Sequence, residues 1–191
     1  MTDSRRWTRL RRGRLGAMTL IDDMDAAVAA TAFEIRAIAP DVVAALRIRD
    51  DAGRAPRLVD AGPDGGSPLR CCLAVARPHE PLALVSYAPL RRWAAGTGAE
   101  PAAYDEVGPV FIHPEPCGGQ LEFPQIRTGA RRVLRAYDAN GTILGGRMIE
   151  WPGRAGGEAL LAESLADPRV AVVHVRAVEF GCFHFEVRRA A

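Results

Sequence analysis

The sequence predicts a single α+β domain, built mainly on an antiparallel β-sheet with two or three short helices. The first observation is a set of about eight short segments in which apolar and polar residues alternate, as they do in half-buried strands. The second is that helical spacing is confined to a few short stretches that do not alternate regularly with the strands, which argues against a parallel sheet. The third is the length of 191 residues, which is typical of one domain.

The chain divides into a short extension and one domain. Residues 1–30 are expected to form a basic, disordered extension, because their arginine-rich start shows little apolar pattern. The α+β domain is predicted over residues 33–189. It begins with an alternating strand at 33–37, and a helix over 40–46 follows, opened by a proline and an aspartate.

The middle of the domain is predicted to alternate loops with short strands. Residues 50–68 are rich in Gly, Pro and Asp and are expected to form a loop. Apolar runs at 69–75 and 81–87 flank a turn and are expected to pair as a hairpin. A polar crossing loop is expected over 91–105, and a short strand at 108–113.

The C-terminal part is predicted to contain two hairpins with a helix between them. Strands at 131–138 and 142–150 flank the turn sequence Asp-Ala-Asn-Gly, which favours a hairpin. Leucines at helical spacing predict a helix over 158–165. The second hairpin spans residues 169–188, where two alternating runs flank a short loop that ends in glycine.

Composition excludes several classes of protein. A net charge of +2 is too small to favour a nucleic-acid partner. No apolar run approaches the ~20 residues of a membrane span, so we expect a cytoplasmic protein with no membrane partner. All 25 basic residues are arginine. Each carries a planar guanidinium group that can bind a carboxylate or a phosphate through two hydrogen bonds. The adjacent Cys71 and Cys72 are expected to be reduced, because a bridge between neighbours is strained.

The C-terminal hairpin is predicted to have one apolar and one reactive face, since alternate strand residues share a face. The apolar face is expected to hold Ala171, Val173, Val175, Phe183, Phe185 and Val187. The other face is expected to hold His174, Arg176, Cys182, His184, Glu186 and Arg188. A thiol beside imidazole or guanidinium ionises more readily, so His174 and Cys182 are candidate catalytic residues. Alternatively, the thiol is a small buried hydrophobe.

His113 and Cys117 form a second candidate site, because a four-residue offset with two prolines makes a tight turn that can direct both side chains toward one point. His113 is the third candidate catalytic residue. With His174, Cys182 or His184, the pair could complete a zinc site of mixed nitrogen and sulfur ligands. The spacing matches no strong zinc pattern, so no metal ligands are assigned. A Cys117–Cys182 disulfide is a further alternative.

Arginines on the predicted strands indicate a site for an anionic small molecule. The candidate ligand-binding residues are Arg70, Arg135, Tyr137, Arg176 and Cys117. Arg135 and Tyr137 share a strand face, and such a pair can bind a carboxylate or a phosphate. The alternative for any one arginine is a structural ion pair; for Arg135 the partners would be Glu106, Asp138 or Glu150.

Several stretches, in order, resemble a bacterial family, the domain-of-unknown-function family numbered 1203. The matching stretches are PLRCCL at 68–73, YDEVGPVFIHPEPC at 104–117, RRVLRAYDANGTI at 131–143, and DPRVAVVHVRAVEFGCFHFEVRR at 167–189. The resemblance covers roughly residues 33–189. It implies a compact single-domain bacterial protein, and it implies no reaction.

Two functions are consistent with these residues. The first is a small enzyme or ligand-binding protein, in which arginines hold an anionic molecule in a cleft and Cys or His does nucleophilic or acid–base work. The second is a non-catalytic protein-interaction module whose Cys and His residues serve packing. The glycine-rich stretches match neither the GxxxxGK(S/T) nor the GxGxxG motif for binding phosphate groups, so no cofactor is assigned. The residues do not predict an oligomeric state.

Overall fold

The predicted α+β class is confirmed. The computed structural model describes residues 32–190, so the extension predicted at 1–30 lies outside the described residues. The described chain contains three α-helices and two antiparallel sheets. None of the helices within this range has the length and apolar character that a bilayer span requires.

The elements follow the chain in this order. The helices are α1 (Pro40–Leu46), α2 (Pro89–Thr97) and α3 (Arg154–Ser164). The strands are β1 (Phe33–Arg36), β2 (Arg57–Asp60), β3 (Pro81–Tyr87), β4 (Gly108–Ile112), β5 (Arg131–Tyr137), β6 (Ile143–Glu150), β7 (Val172–Ala177) and β8 (Phe183–Arg189). The larger sheet has the order β1-β8-β7-β5-β6, and the smaller one has the order β2-β3-β4. The first strand of the domain therefore pairs with the last.

Both C-terminal hairpins form as predicted. Strands β5 and β6 pair across the Asp-Ala-Asn-Gly turn, and β7 pairs with β8. Strand β5 also pairs with β7, which joins the two hairpins into one sheet. Helix α3 lies in the connection between them, and it begins at Arg154, before the predicted 158–165.

The predicted strand at 69–75 is wrong. This segment is a tight turn, with isolated bridges from Pro68 to Val75 and from Leu69 to Phe111. The predicted hairpin with β3 is therefore wrong as well, and β3 pairs instead with β2 and β4. The apolar residues of the segment are buried because the turn enters the core, which their pattern alone does not distinguish from a strand.

Two other predicted loops contain regular structure. Helix α2 occupies part of the loop predicted at 91–105, and it buries Leu90, Trp93 and Ala94. Proline is tolerated in the first turn of a helix, where its missing N–H is not needed, so Pro89 starts this one. Strand β2 falls within the loop predicted at 50–68 and is only four residues long.

A β-bulge changes the faces of the C-terminal hairpin. The register between β7 and β8 shifts after Val175, so that Arg176 pairs with Phe183 rather than with His184. The ring of Phe183 consequently lies 5.2 Å from that of His174, centroid to centroid. The prediction that Phe183 shares a face with Phe185 is therefore wrong, because a bulge moves every residue beyond it to the other face.

Two main clusters of buried residues make up the core. One contains residues of α1, β3 and β4 together with Leu69, Cys71 and Cys72. The other lies on one face of the large sheet, where Trp151 and Phe185 pack with residues of α3. Gly157 of α3 approaches the Trp151 ring so closely that a Cβ atom there would lie 2.6 Å from a ring carbon.

The side chain of Gln120 lies along the outer edge of the large sheet. Its Oε1 accepts a hydrogen bond from the backbone N–H of Ala37 at 2.6 Å. Its Nε2 donates to the backbone carbonyl of Ile35 at 2.7 Å. One amide group thus pairs with two backbone groups at the edge formed by β1.

Candidate metal centre

The turn after Leu69 directs two adjacent cysteines into the core. The Leu69 N–H donates to the Ala74 carbonyl at 2.9 Å, which closes the turn, and Leu73 adopts a positive φ of 66°. In a strand, neighbouring side chains point to opposite faces. The turn removes that constraint, and both Cys71 and Cys72 are buried.

The other half of the cluster follows the end of β4. His113 comes directly after this strand, and two prolines then turn the chain so that Cys117 returns toward His113. Arg47, at the end of α1, donates from Nε to the His113 carbonyl at 3.1 Å and from Nη2 to the Glu115 carbonyl at 2.8 Å. The turn is therefore fixed to a helix of the core.

The two turns bring four potential metal ligands together. The thiols of Cys71, Cys72 and Cys117 and a ring nitrogen of His113 all lie within 4.8 Å of one another. His113 Nδ1 is 3.3 Å from the Cys71 sulfur and 3.8 Å from the Cys72 sulfur. The sulfurs of Cys71 and Cys117 are 3.8 Å apart.

The three distances given above are close to those of a tetrahedral zinc site. Zinc–sulfur bonds of about 2.3 Å place two tetrahedral sulfur ligands about 3.8 Å apart, and a nitrogen ligand somewhat closer to each sulfur. Three thiolates and one imidazole are a ligand set that zinc accepts in structural sites. The geometry and the chemistry of the donors therefore agree.

Glu80 orients the histidine of the cluster. Its Oε1 lies 3.2 Å from His113 Nε2, the ring nitrogen that faces away from the sulfurs. A carboxylate on the second nitrogen fixes the tautomer, so that Nε2 carries the proton and Nδ1 offers its lone pair. The backbone N–H of Arg77, and then His113 itself, lower the pKa of the Glu80 carboxyl and keep it ionised.

The two adjacent thiols differ in acidity. A hydrogen bond from Cys71 lowers the pKa of the Cys72 thiol. The same contact, together with burial, raises the pKa of Cys71. A metal ion would displace the thiol protons of both residues, because cysteine binds metal as the thiolate.

The predicted partners of His113 and Cys117 lie elsewhere. His174 and His184 are fully buried, and neither has a hydrogen-bond partner within residues 32–190 for either ring nitrogen. Cys182 is half-buried, with its sulfur 3.6 Å from the Phe180 carbonyl. All four cysteines are free, and the neighbour of Cys117 is Cys71, so the Cys117–Cys182 contact does not form.

Two of the candidate ligand-binding arginines form ion pairs with the same carboxylate. Arg135 Nη1 donates to Glu106 Oε1 at 3.1 Å, and Arg176 Nη1 donates to the same oxygen. Arg176 also donates from Nε to the Gly181 carbonyl at 2.8 Å. Tyr137 is buried on the same strand as Arg135. The structural ion pair that we considered for Arg135 is therefore present.

Arg70 stands apart from that group, on the wall of a separate cavity that Cys182 also lines. The predicted arginine, histidine and cysteine site residues are thus separated in the structure. His113 and Cys117 belong to the four-ligand cluster, Arg135 and Arg176 pair with Glu106, Arg70 and Cys182 line this cavity, and His174 is buried beside Tyr137 and Phe183. The catalytic roles of His174, Cys182 and His113 stay predictions.

Sequence reasoning missed Cys71, Cys72 and Glu80 as members of the site. In a strand over 69–75 the two cysteines would lie on opposite faces, so that prediction excluded a site that contains both. The available signal was a pair of thiols upstream of a His-x-x-x-Cys turn, a set of four zinc-type ligands in two short segments.

Comparison with known proteins gives one match. The family described as "Protein of unknown function (DUF1203)" matches residues 66–189, well over half of the chain. The chain belongs to the DUF1203 family. The match confirms the resemblance noted in the sequence, and within this chain the DUF1203 region includes all four cluster ligands and Glu80, whereas β1, α1 and β2 precede it. No match to a curated protein or to a solved structure was found.

Proposed function

We propose that this protein binds one zinc ion through Cys71, Cys72, His113 and Cys117, and that the ion has a structural role. The observation that carries the proposal is the convergence of four ligand atoms within 4.8 Å of one another from two separate segments. Four protein ligands complete a tetrahedron and leave no position for water or substrate, which is the arrangement of structural rather than hydrolytic zinc.

Zinc would join two turns that are far apart in sequence. The turn that carries Cys71 and the turn that carries Cys117 have no disulfide to connect them, since all four cysteines are free. A metal that binds the folded chain only adds its binding free energy to the free energy of unfolding. The ion would stabilise the junction of β4, α1 and the 69–74 turn.

The direct test is metal analysis of purified wild-type protein and matched cysteine variants. We expect one zinc per chain in the wild type, and less than about a tenth of that in Cys117→Ser, because structural zinc sites tolerate the loss of a ligand poorly. Cys182→Ser is the control, since this cysteine lies outside the cluster. It should retain full zinc. Equal zinc in the two variants, or none in the wild type, would end the proposal.

Three further measurements separate zinc from its alternatives. Cobalt substitution should give visible d–d bands of the intensity typical of tetrahedral thiolate coordination, together with sulfur-to-cobalt charge transfer. Glu80→Gln should keep the ligands but weaken zinc affinity by about 10- to 100-fold, because His113 loses its orienting carboxylate. Alkylation of the denatured protein followed by mass measurement would reveal a Cys71–Cys117 disulfide in place of a metal site.

A further inference from the structure

A cavity of about 770 Å³ lies next to the four-ligand cluster and is distinct from it. None of the four cluster ligands lines it. Two arginines, one cysteine and three large apolar side chains form much of its wall: Arg70, Arg132, Cys182, Leu84, Phe111 and Phe180. The cavity therefore combines cationic groups with an apolar surface, as small-molecule sites commonly do.

Arg70 is held rigidly at this cavity. It is only 4% exposed, and its Nε donates to the Phe183 carbonyl at 2.8 Å. Its Nη1 donates to the Pro68 carbonyl. Within residues 32–190, no carboxylate lies within ion-pairing distance of this guanidinium, and its Nη2 has no acceptor. A buried arginine is usually paired, so this one has its charge available to a ligand.

Arg132 supplies a second cation on the same wall. Its Nη1 donates to the Arg131 carbonyl at 2.7 Å, while its Nε is buried and has no hydrogen-bond partner in the described chain. The one carboxylate that lines the cavity is Glu179, and its ion pair at 3.7 Å is with Arg131 rather than with Arg132. Two guanidinium charges thus face the cavity against one carboxylate that is already paired.

We infer that this cavity binds a small organic anion, whose carboxylate or phosphate head group pairs with Arg70 and Arg132 and whose apolar body contacts Phe111 and Phe180. The planar fork of arginine suits either head group, and it binds each through paired hydrogen bonds. Phe180 is 85% exposed, and an apolar ligand would cover part of its ring. This inference goes beyond the zinc proposal and does not depend on it.

The test uses three probes with the same eight-carbon chain: octanoate, octyl phosphate and octanol. The affinity of each probe is measured by how well it displaces the fluorescent sulfonate 1-anilinonaphthalene-8-sulfonate from the full-length protein. We expect either anion to bind at least about tenfold more tightly than octanol, because charge-assisted hydrogen bonds to arginine are lost with the neutral head group. The stronger of the two anions identifies the head group.

Arg132→Met is the informative variant, and Arg147→Met is its control. Arg132→Met should weaken the binding of the preferred anion by about tenfold or more, and it should leave octanol unchanged. Arg147 pairs with Glu163 on the surface and does not line this cavity, so its variant should bind like the wild type. Zinc content and the circular dichroism spectrum of each variant verify that the fold is retained.

Cys182 provides a second readout in the wild-type protein alone. It is half-buried, lines the cavity and lies outside the metal cluster. Bound octanoate or octyl phosphate should slow its alkylation by iodoacetamide at least threefold, and octanol at the same concentration should not. The inference is overturned if octanol binds and protects as well as the anions do, or if neither anion protects Cys182 at millimolar concentration.

Discussion

At the scale of single residues, His174 is the most completely enclosed ionisable group of the C-terminal hairpin. Its ring lies between those of Tyr137 and Phe183, at centroid distances of 4.8 and 5.2 Å. Its Nε2 is 3.9 Å from the Glu186 carboxylate, beyond hydrogen-bond range. Burial, together with the charge of Arg176 and two other arginines, lowers the pKa of His174 to about 3.

This position gives a prediction for acid stability. In the unfolded chain His174 is protonated below about pH 6.5, whereas in the folded chain it stays neutral down to about pH 3. The free energy of unfolding therefore decreases as the pH is lowered from 6.5 to 3. Glu186, Arg135, Arg176 and Arg188 surround the ring and are unchanged in His174→Phe. Between pH 7 and pH 5, His174→Phe should lose about 2 kcal/mol less unfolding free energy than the wild type.

Urea unfolding of the two proteins at both pH values measures this difference. Acid also protonates other groups and can release a bound metal ion. These contributions are common to both proteins, so they cancel when the two changes in unfolding free energy are subtracted. Equal losses of stability in the two proteins would mean that His174 takes up its proton in the folded state.

The candidate site divides into what residue patterns predict and what they do not. The proximity of His113 and Cys117 was predictable from a local turn signal, two prolines within a four-residue offset. Their companions are set by the packing of the 69–74 turn against β4, a long-range contact with no local signature. Arg135 illustrates the same limit, since Glu106 was one of three carboxylates available to it and only the fold selects among them.

At the scale of elements, two glycines in helices have opposite environments. Gly157 of α3 lies against the buried ring of Trp151, where a Cβ would lie 2.6 Å from a ring carbon. Gly96 of α2 is exposed, and a Cβ there would meet nothing within 4 Å. One glycine is required by packing, and the other only weakens its helix.

The same substitution should therefore have opposite effects at the two positions. Gly157→Ala should lower the free energy of unfolding by about 1–3 kcal/mol, because a methyl group is forced into a filled core. Gly96→Ala should raise it by up to about 1 kcal/mol, through helix propensity. Urea unfolding followed by circular dichroism measures both, and a stabilised Gly157→Ala would show that α3 does not pack on Trp151 as described.

Strands with regular alternation are the elements that sequence predicts well. Strands β5 to β8 carry alternating side chains and a recognisable turn, and they were located within a few residues. Helix α2 was missed because its alanine- and glycine-rich sequence resembles a loop, and only the burial of Leu90 and Trp93 reveals its apolar side. The bulge in β8 was missed because it inserts one residue without altering the pattern around it.

At the scale of the whole molecule, Phe183 connects the two sheets. Its ring packs 5.3 Å from that of Tyr87 on β3, and its carbonyl accepts a hydrogen bond from Arg70. The bulge turns this side chain away from Phe185 and toward Tyr87. The residues ahead of the family match also complete the core, because Ile38, Val43 and Leu46 are buried in the cluster that contains Cys71 and Cys72.

We therefore expect the matched region alone not to fold. A chain that starts at residue 66 loses β1 and three buried aliphatic side chains, each typically worth about 2–5 kcal/mol. The total approaches or exceeds the usual stability of a domain, about 5–15 kcal/mol. The truncated protein should show no cooperative thermal unfolding, whereas the full-length chain should. A cooperative transition within a few degrees of the full-length protein would contradict this expectation.

The hydrogen bonds of Gln120 affect whether a second molecule can add a strand to the edge of the large sheet. A sheet edge with free N–H and carbonyl groups is a template on which the strand of a second molecule can assemble. At β1, the Gln120 amide already occupies the groups of Ile35 and Ala37 that such a strand would need. A side chain from the connection that follows Cys117 therefore blocks strand addition at the C-terminal end of β1, where it takes the place of the backbone of a second molecule.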